Sequence, residues 1–280
     1  QYAQAHLAIA SCYGAMTFFG YMSPQEGYEK YSAEVALAQK INPDLPDLHR
    51  AVGSMNHYFF WKWEKAEDAL QRAISQVPSN AHAHQTYAWL LAAQGRSEEA
   101  QNVITHGLKL EPLAANMYLT ASNVFYLGGL HDQAIAHCQE ALELRPNHSL
   151  ALSQIGWSYL QMGLFDDAIS TMEKSVKHSP HLAQNQYLLG HAYAVAGKEE
   201  EARKILGDLH ILAEKQYVAP YGIALIHAGL GNTNDAIDWL EKAFEDRNGW
   251  MAYLNVEPRW DSLRGEPRFQ ALLARMAFPD

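Results

Sequence analysis

The feature that most constrains this chain is a period. Two 34-residue units stand head to tail, Ala81 to Ala114 and Ala115 to His148. Each runs through a helix-like pattern to a glycine, Gly95 or Gly129. Each then carries an alanine five residues on, Ala100 or Ala134, and a proline twelve after that, Pro112 or Pro146. Gly163, Gly197 and Gly231 continue the series. In this register seven units begin at Ala3, Pro46, Ala81, Ala115, Ser149, Ala183 and Tyr217, the last five in step. A chain that repeats at this length stacks one supersecondary unit on the next, and its core grows along one axis.

The repeated residue types explain the unit. Counting from the start of each first helix, position 8 is always small: Ala10, Gly53, Ala88, Ser122, Gly156, Gly190, Ala224. Position 20 is alanine from Ala66 onward, and position 24 is apolar throughout, as in Leu70, Cys138 and Met172. Small residues facing each other mark the place where two antiparallel helices cross closest. A proline at position 32 of five units ends the second helix. This pattern resembles the tetratricopeptide (TPR) repeat. It predicts an all-α TPR solenoid, a right-handed superhelix of about seven helical hairpins over residues 1–249. Residues 250–280 are expected to form C-terminal capping helices, with Trp260, Phe269 and Leu272 as plugs.

Departures from the period carry their own expectations. The first unit is nine residues longer, predicting an enlarged loop through Phe18 to Gly27, and has Tyr31 where alanine belongs. The second replaces the turn glycine by the aromatic run Tyr58 to Trp63, expected to fill space beside that loop. Units six and seven lack the terminal proline, so their second helices are expected to run on. Gln1 and Tyr2 fit the last two positions of a preceding unit, which predicts a chain cut from a longer protein.

Composition excludes more than it assigns. With 31 acidic and 21 basic residues the chain has a net charge of −10, a poor match for the phosphate backbone of nucleic acid. No apolar run is long enough to span a bilayer. Cys12 and Cys138 read as small core residues rather than a disulfide. There is no phosphate-binding loop, zinc-helix motif or nucleophile motif. His82 and His84 are two apart on a helix and diverge; His178 and His181 straddle Pro180. No metal, cofactor or catalytic residue is expected, and the chain reads as a non-enzyme. Paired acids such as Asp166-Asp167 open second helices, where the helix dipole favours them.

Function is expected on the inner surface, which in the TPR family is formed by the first helices. Position 9 forms a ladder, Trp89, Asn123, Trp157, His191, flanked by Arg50, His82, Gln85, Gln184, Tyr187 and Tyr221, with Tyr58 and Tyr126 adding rings. The groove is neutral, aromatic and rich in amides, chemistry that suits a protein or peptide ligand. The competing expectation is that Trp89 and Trp157 are core.

The stretches Tyr221 to Ile226, Trp239 to Ala243, and Pro258 to Arg264 followed by Pro267-Arg268-Phe269 resemble the C-terminal TPR arrays of bacterial multidomain signalling proteins. That resemblance implies a regulatory or sensory array whose N-terminal output domain, a winged-helix regulator, a kinase or a nucleotide cyclase, lies outside this chain. It implies a cytoplasmic location, or a periplasmic one if a membrane span precedes the array. A small-ligand sensor that closes on a metabolite is the alternative to the peptide-binding scaffold.

Overall fold

A computed structural model describes residues 2–279, and Gln1, with the expectation placed on it, lies outside the described residues. Every regular element among the described residues is helical, with no strand among them. Seven antiparallel hairpins follow one another: α1 (Ala3–Phe18) with α2 (Pro24–Ile41), α3 (Asp47–Met55) with α4 (Trp63–Gln76), α5 (Ala81–Ala93) with α6 (Ser97–Leu110), and α7 (Ala115–Leu127) with α8 (His131–Leu144). Then come α9 (Ser149–Gln161) with α10 (Phe165–His178), α11 (Ala183–Val195) with α12 (Glu199–Ala213), and α13 (Pro220–Gly229) with α14 (Thr233–Glu245). Two 3₁₀ turns, Gly249–Tyr253 and Pro258–Leu263, and a last helix α15 (Pro267–Met276) complete the chain.

The turns and crossings have simple causes. Gly95, Gly129, Gly163, Gly197 and Gly231 all take φ between 72° and 77°, the left-handed region glycine enters without steric cost. At the crossing of α9 and α10, a Cβ on Gly156 would lie 2.6 Å from Met172 and 3.3 Å from the Ala168 carbonyl. The small position therefore faces both the alanine and the apolar position of its own second helix. From α5 onward the first helices are buried on most sides; α11 has ten buried residues in its thirteen, whereas α1 has four in sixteen. Second helices bury one stripe: in α10 that is Ala168, Ile169, Met172 and Ser175. The solenoid thus has an enclosed inner layer of first helices and an amphipathic outer layer.

Several expectations are corrected. The nine extra residues of the first unit lengthen its helices to 16 and 18 residues and leave a loop of five, Phe19 to Ser23. Ser23 caps α2 by accepting from the Glu26 N–H. The added turns cross where Gly27 meets Thr17; a Cβ there would overlap the hydroxyl at 1.7 Å. Tyr31, in the alanine position, is buried and donates its hydroxyl to the Ala51 carbonyl at 2.9 Å. Of the two units without a terminal proline, α12 gains one residue and α14 none, because Arg247, at φ 57°, turns the chain as glycine does elsewhere. Cys12 is exposed; Cys138 is buried against Ser122 and Gln154.

The aromatic second unit has a different role from the one expected. Asn56–Phe60 forms a π-helical turn, and Trp61 takes the left-handed conformation at φ 53°. Phe59 and Phe60 do pack on Tyr28 in the first unit. Trp61 and Trp63 instead reach the far end of the chain. Trp61 stacks at 5.1 Å from Phe244 of α14 and carries the Arg247 guanidinium at 4.6 Å. Trp63 donates its indole N–H to the Met276 carbonyl and stacks on Phe278. The curvature of seven hairpins brings the last unit back to the second, and the array closes into a ring.

Candidate functional site: an inner cavity beneath a C-terminal strap

The segment after α14 enters the ring, where its residues line the inner wall. Asn248 and Glu257 start its two 3₁₀ turns by accepting from the N–H groups of Trp250 and Arg259. Trp250 sits among the rings of Phe18, Trp157 and Tyr253, 4.5 to 5.8 Å between centroids. Tyr253 lies 5.1 Å from Trp89. Further on, the Trp260 indole donates to the Tyr221 hydroxyl at 3.0 Å. The residues expected as plugs, Trp260, Phe269 and Leu272, are buried. The second half of the segment covers the last hairpin: α15 lies on α14, where Arg268 pairs with Asp238 and Glu241. The first half is a strap across the interior.

A buried ion pair fastens the strap. Arg259 makes two hydrogen bonds to the Glu257 carboxylate, at 2.9 and 2.7 Å, and lies 4.5 Å above the Trp157 ring. Tyr126 donates to the same carboxylate at 2.8 Å. Burial pushes the Glu257 carboxyl up, but Arg259 and these hydrogen bonds outweigh it and hold it below the usual range. Burial and the Glu257 charge together push the Tyr126 hydroxyl far up, so it stays a donor. A buried charge pair is tolerable when its remaining hydrogen-bonding capacity is met, as it largely is here.

The expected groove residues divide into two groups. Tyr126, Tyr187, His191 and Tyr221 are buried and lie outside the cavity described below. His191 bonds the Leu225 carbonyl through Nδ1, and burial lowers its pKa to about 4. Arg50, Tyr58, His82, Gln85, Trp89, Asn123, Trp157 and Gln184 line one partly open cavity of about 350 Å³. Asn123 and Trp157, buried at 4% and 3% exposure, are at its sealed side; Trp89 is half-buried and donates to the Thr120 hydroxyl. Gln85 also donates to that hydroxyl and to the Asn116 carbonyl.

Arg50 is gripped by Asp47 through two 2.7 Å hydrogen bonds and donates to Ser11. Burial pushes the Asp47 carboxyl up, and Arg50 with Asn80 more than reverses this, so Asp47 stays ionised. Sequence reasoning missed the opposite wall: Phe18, Arg247, Gly249 and Trp250. The signal was there in part, since Trp250 is where the period stops and Phe18-Phe19 is an aromatic pair outside it. Among the described residues no group of three metal-ligating side chains converges, and no helix is long and apolar enough to cross a membrane.

Period, hairpin and crossing together define a helical-repeat solenoid. Three tetratricopeptide-repeat family models match it, at residues 62–121, 113–181 and 154–219. These repeats are TPR repeats, and the chain is a TPR solenoid, generally a non-catalytic scaffold for protein interaction. Human Protein O-mannosyl-transferase TMTC1 is 29% identical over 202 residues, which is 71% of this chain and 22% of that protein. The chain therefore spans about a fifth of that curated relative, whose activity belongs to the whole protein. A monomeric mutant of IFIT1 with Gppp-AAAA superposes with a TM-score of 0.62 at 15% identity, covering 89% of this chain and 67% of the other. A TPR protein from Parabacteroides merdae gives 0.59 at 15% identity, covering 93% and 98%. Such structural likenesses establish the fold.

Proposed function

We propose that this chain is the sensory module of a larger bacterial signalling protein, and that it holds a small ligand inside its ring. One observation carries this reading. The chain's own strap packs on Trp89 and Trp157 of the ladder that would seat an extended peptide, and what stays open between them is a cavity of about 350 Å³. That size lies within the range of small-molecule sites. The cavity is walled by residues of units one to six on one side and by Arg247, Gly249 and Trp250 on the other. A ligand there touches both sides of the ring closure, so occupancy would stabilise the closed form and be felt by a domain attached before α1.

The test is a metabolite library screened by thermal shift, set beside a random-peptide pull-down on the same protein. Stabilisation by small molecules, lost in Trp89→Ala, supports the sensor. Peptide capture that releases the strap, seen as new protease sensitivity within residues 249–264, supports the second reading, a peptide-binding scaffold. That reading keeps one observation in its favour: the strap itself shows that a chain segment fits the wall, through Trp250, Glu257 and Trp260.

A further inference from the structure

The charges around the cavity select among small ligands. Acids outnumber bases 31 to 21 in the chain, yet no aspartate or glutamate is among the residues that line this cavity, while Arg50 and Arg247 both are. The two arginines differ. Arg50 is neutralised by Asp47, and its Nη1 makes no hydrogen bond within the described residues. Arg247 has no carboxylate within salt-bridge distance and no side-chain hydrogen bond among the described residues. The adjacent carboxylate, Asp246, is taken by the Tyr217 hydroxyl.

The Arg247 guanidinium is nevertheless held in place, 4.6 Å over the Trp61 ring and 5.7 Å from the Phe244 centroid. Its backbone is fixed by a left-handed turn that donates to the Phe244 carbonyl. Arg247 is exposed and stands at the edge of the acid-free cavity; a cation positioned there by two rings and a turn, without a counter-ion, is a pre-organised anion site at its mouth. Two residues on, Gly249 lies so close to Phe18 that a Cβ would be 3.2 Å from its ring. The charged and aromatic parts of the lining are therefore adjacent.

We propose that the cavity takes a small organic anion, a flat apolar body bearing one carboxylate. The body lies among Phe18, Trp89 and Trp250, and the carboxylate faces Arg247. Arg50 Nη1 can donate one further hydrogen bond, its charge being balanced by Asp47. This inference rests on the sensor reading above and adds the ligand's charge and shape. Cations are disfavoured by the same arrangement, since the lining offers them ring faces and amide carbonyls but no carboxylate.

Three isosteric probes test it on the full chain by titration calorimetry: 2-naphthylacetate, 2-naphthylacetamide and 2-(2-naphthyl)ethylamine. The expected result is that the acid binds at least tenfold tighter than the amide, and that the amine gives no heat. In Arg247→Met the acid falls to the affinity of the amide, while Arg247→Lys keeps the preference. Melting curves of both variants verify that the ring is intact. Acid and amide binding equally well would overturn the anion inference and leave the cavity a binding site. Absence of binding by all three would remove the sensor reading as well. A carboxy-terminal peptide such as acetyl-Gly-Phe binding tenfold tighter than the naphthyl acid would transfer the site to a peptide terminus and overturn the small-molecule assignment.

Discussion

The inner wall of units four to six and the inner wall of units one to three are built from the same register positions and have opposite fates. On the first, Trp157 and His191 are buried under or beside the strap with the flanking Tyr187 and Tyr221, and Trp157, Asn123 and Gln184 meet the cavity through only 3 to 4% of their surface. On the second, Arg50, Gln85 and Trp89 keep part of their surface on a cavity. The ladder is one pattern in sequence. What separates its halves is a segment that arrives from the other end of the chain. A repeat position therefore defines which way a side chain points, and the rest of the fold decides whether anything is left for a ligand to touch.

The largest break in this comparison comes from removing the strap. Deleting residues 250–280 should expose Trp157, Tyr187 and Tyr221 together and strip α14 of its cover, as happens to a solenoid without its cap. The expected outcome is an aggregating protein that binds a hydrophobic dye. A monomeric truncated chain with an unchanged melting temperature would show that the strap contributes little.

Next come single residues on the sealed side. Trp157→Ala should cost about 3–5 kcal/mol in chemical denaturation, the usual cost of emptying a buried tryptophan site. Glu257→Ala should cost a similar ~3–5 kcal/mol, because Arg259 would be left buried and unpaired. On the open side Trp89→Ala should cost clearly less stability, about 1–2 kcal/mol. It should lose ~2 kcal/mol or more of ligand affinity, as a central aromatic anchor does. Equal stability losses at Trp89 and Trp157 would erase the distinction between the two walls.

Acid should act on the sealed regions. Burial lowers His191 to about 4 and His57 to about 3. Both histidines are therefore neutral in the fold while their unfolded counterparts gain a proton below about pH 6.5. The unfolded state binds more protons in that window, so stability falls as pH drops from about 6.5 toward 4. The slope is at most about 1.4 kcal/mol per pH unit for each histidine. His191→Gln should flatten that slope measurably in denaturation series from pH 7 to 5. A slope unchanged by the substitution would mean that His191 titrates normally.

The smallest effect belongs to the turns. Gly129→Ala has open space around it but a φ of 75°, so about 1 kcal/mol should be lost to backbone strain alone, with no change in ligand affinity.

Most of the architecture was legible because the crossing residues are local: Gly156 faces Met172 within one hairpin, and the period repeats that relation seven times. The cavity was legible by half. Arg50, Gln85 and Trp89 follow from register; Phe18 sits on the extra turn of α1, and Arg247 and Trp250 face them only because of the curvature accumulated over several units. No spacing in the sequence encodes that curvature. Trp61 shows the same limit: its aromatic run was visible, but its partner Phe244 lies 183 residues on.

The closure of the ring also changes how this protein comes apart and together. An open repeat array gains its contacts from neighbours in sequence and can fray from either end, one hairpin at a time. Here Trp63 of the second hairpin is bonded to Met276 across 213 residues, so the C-terminal end cannot peel away without first releasing the second hairpin. The hairpins can zip up quickly from local contacts, and the junction must wait for all of them. That places a slow, non-local step at the end of folding. The same junction turns a one-dimensional chain of units into a body that opens cooperatively.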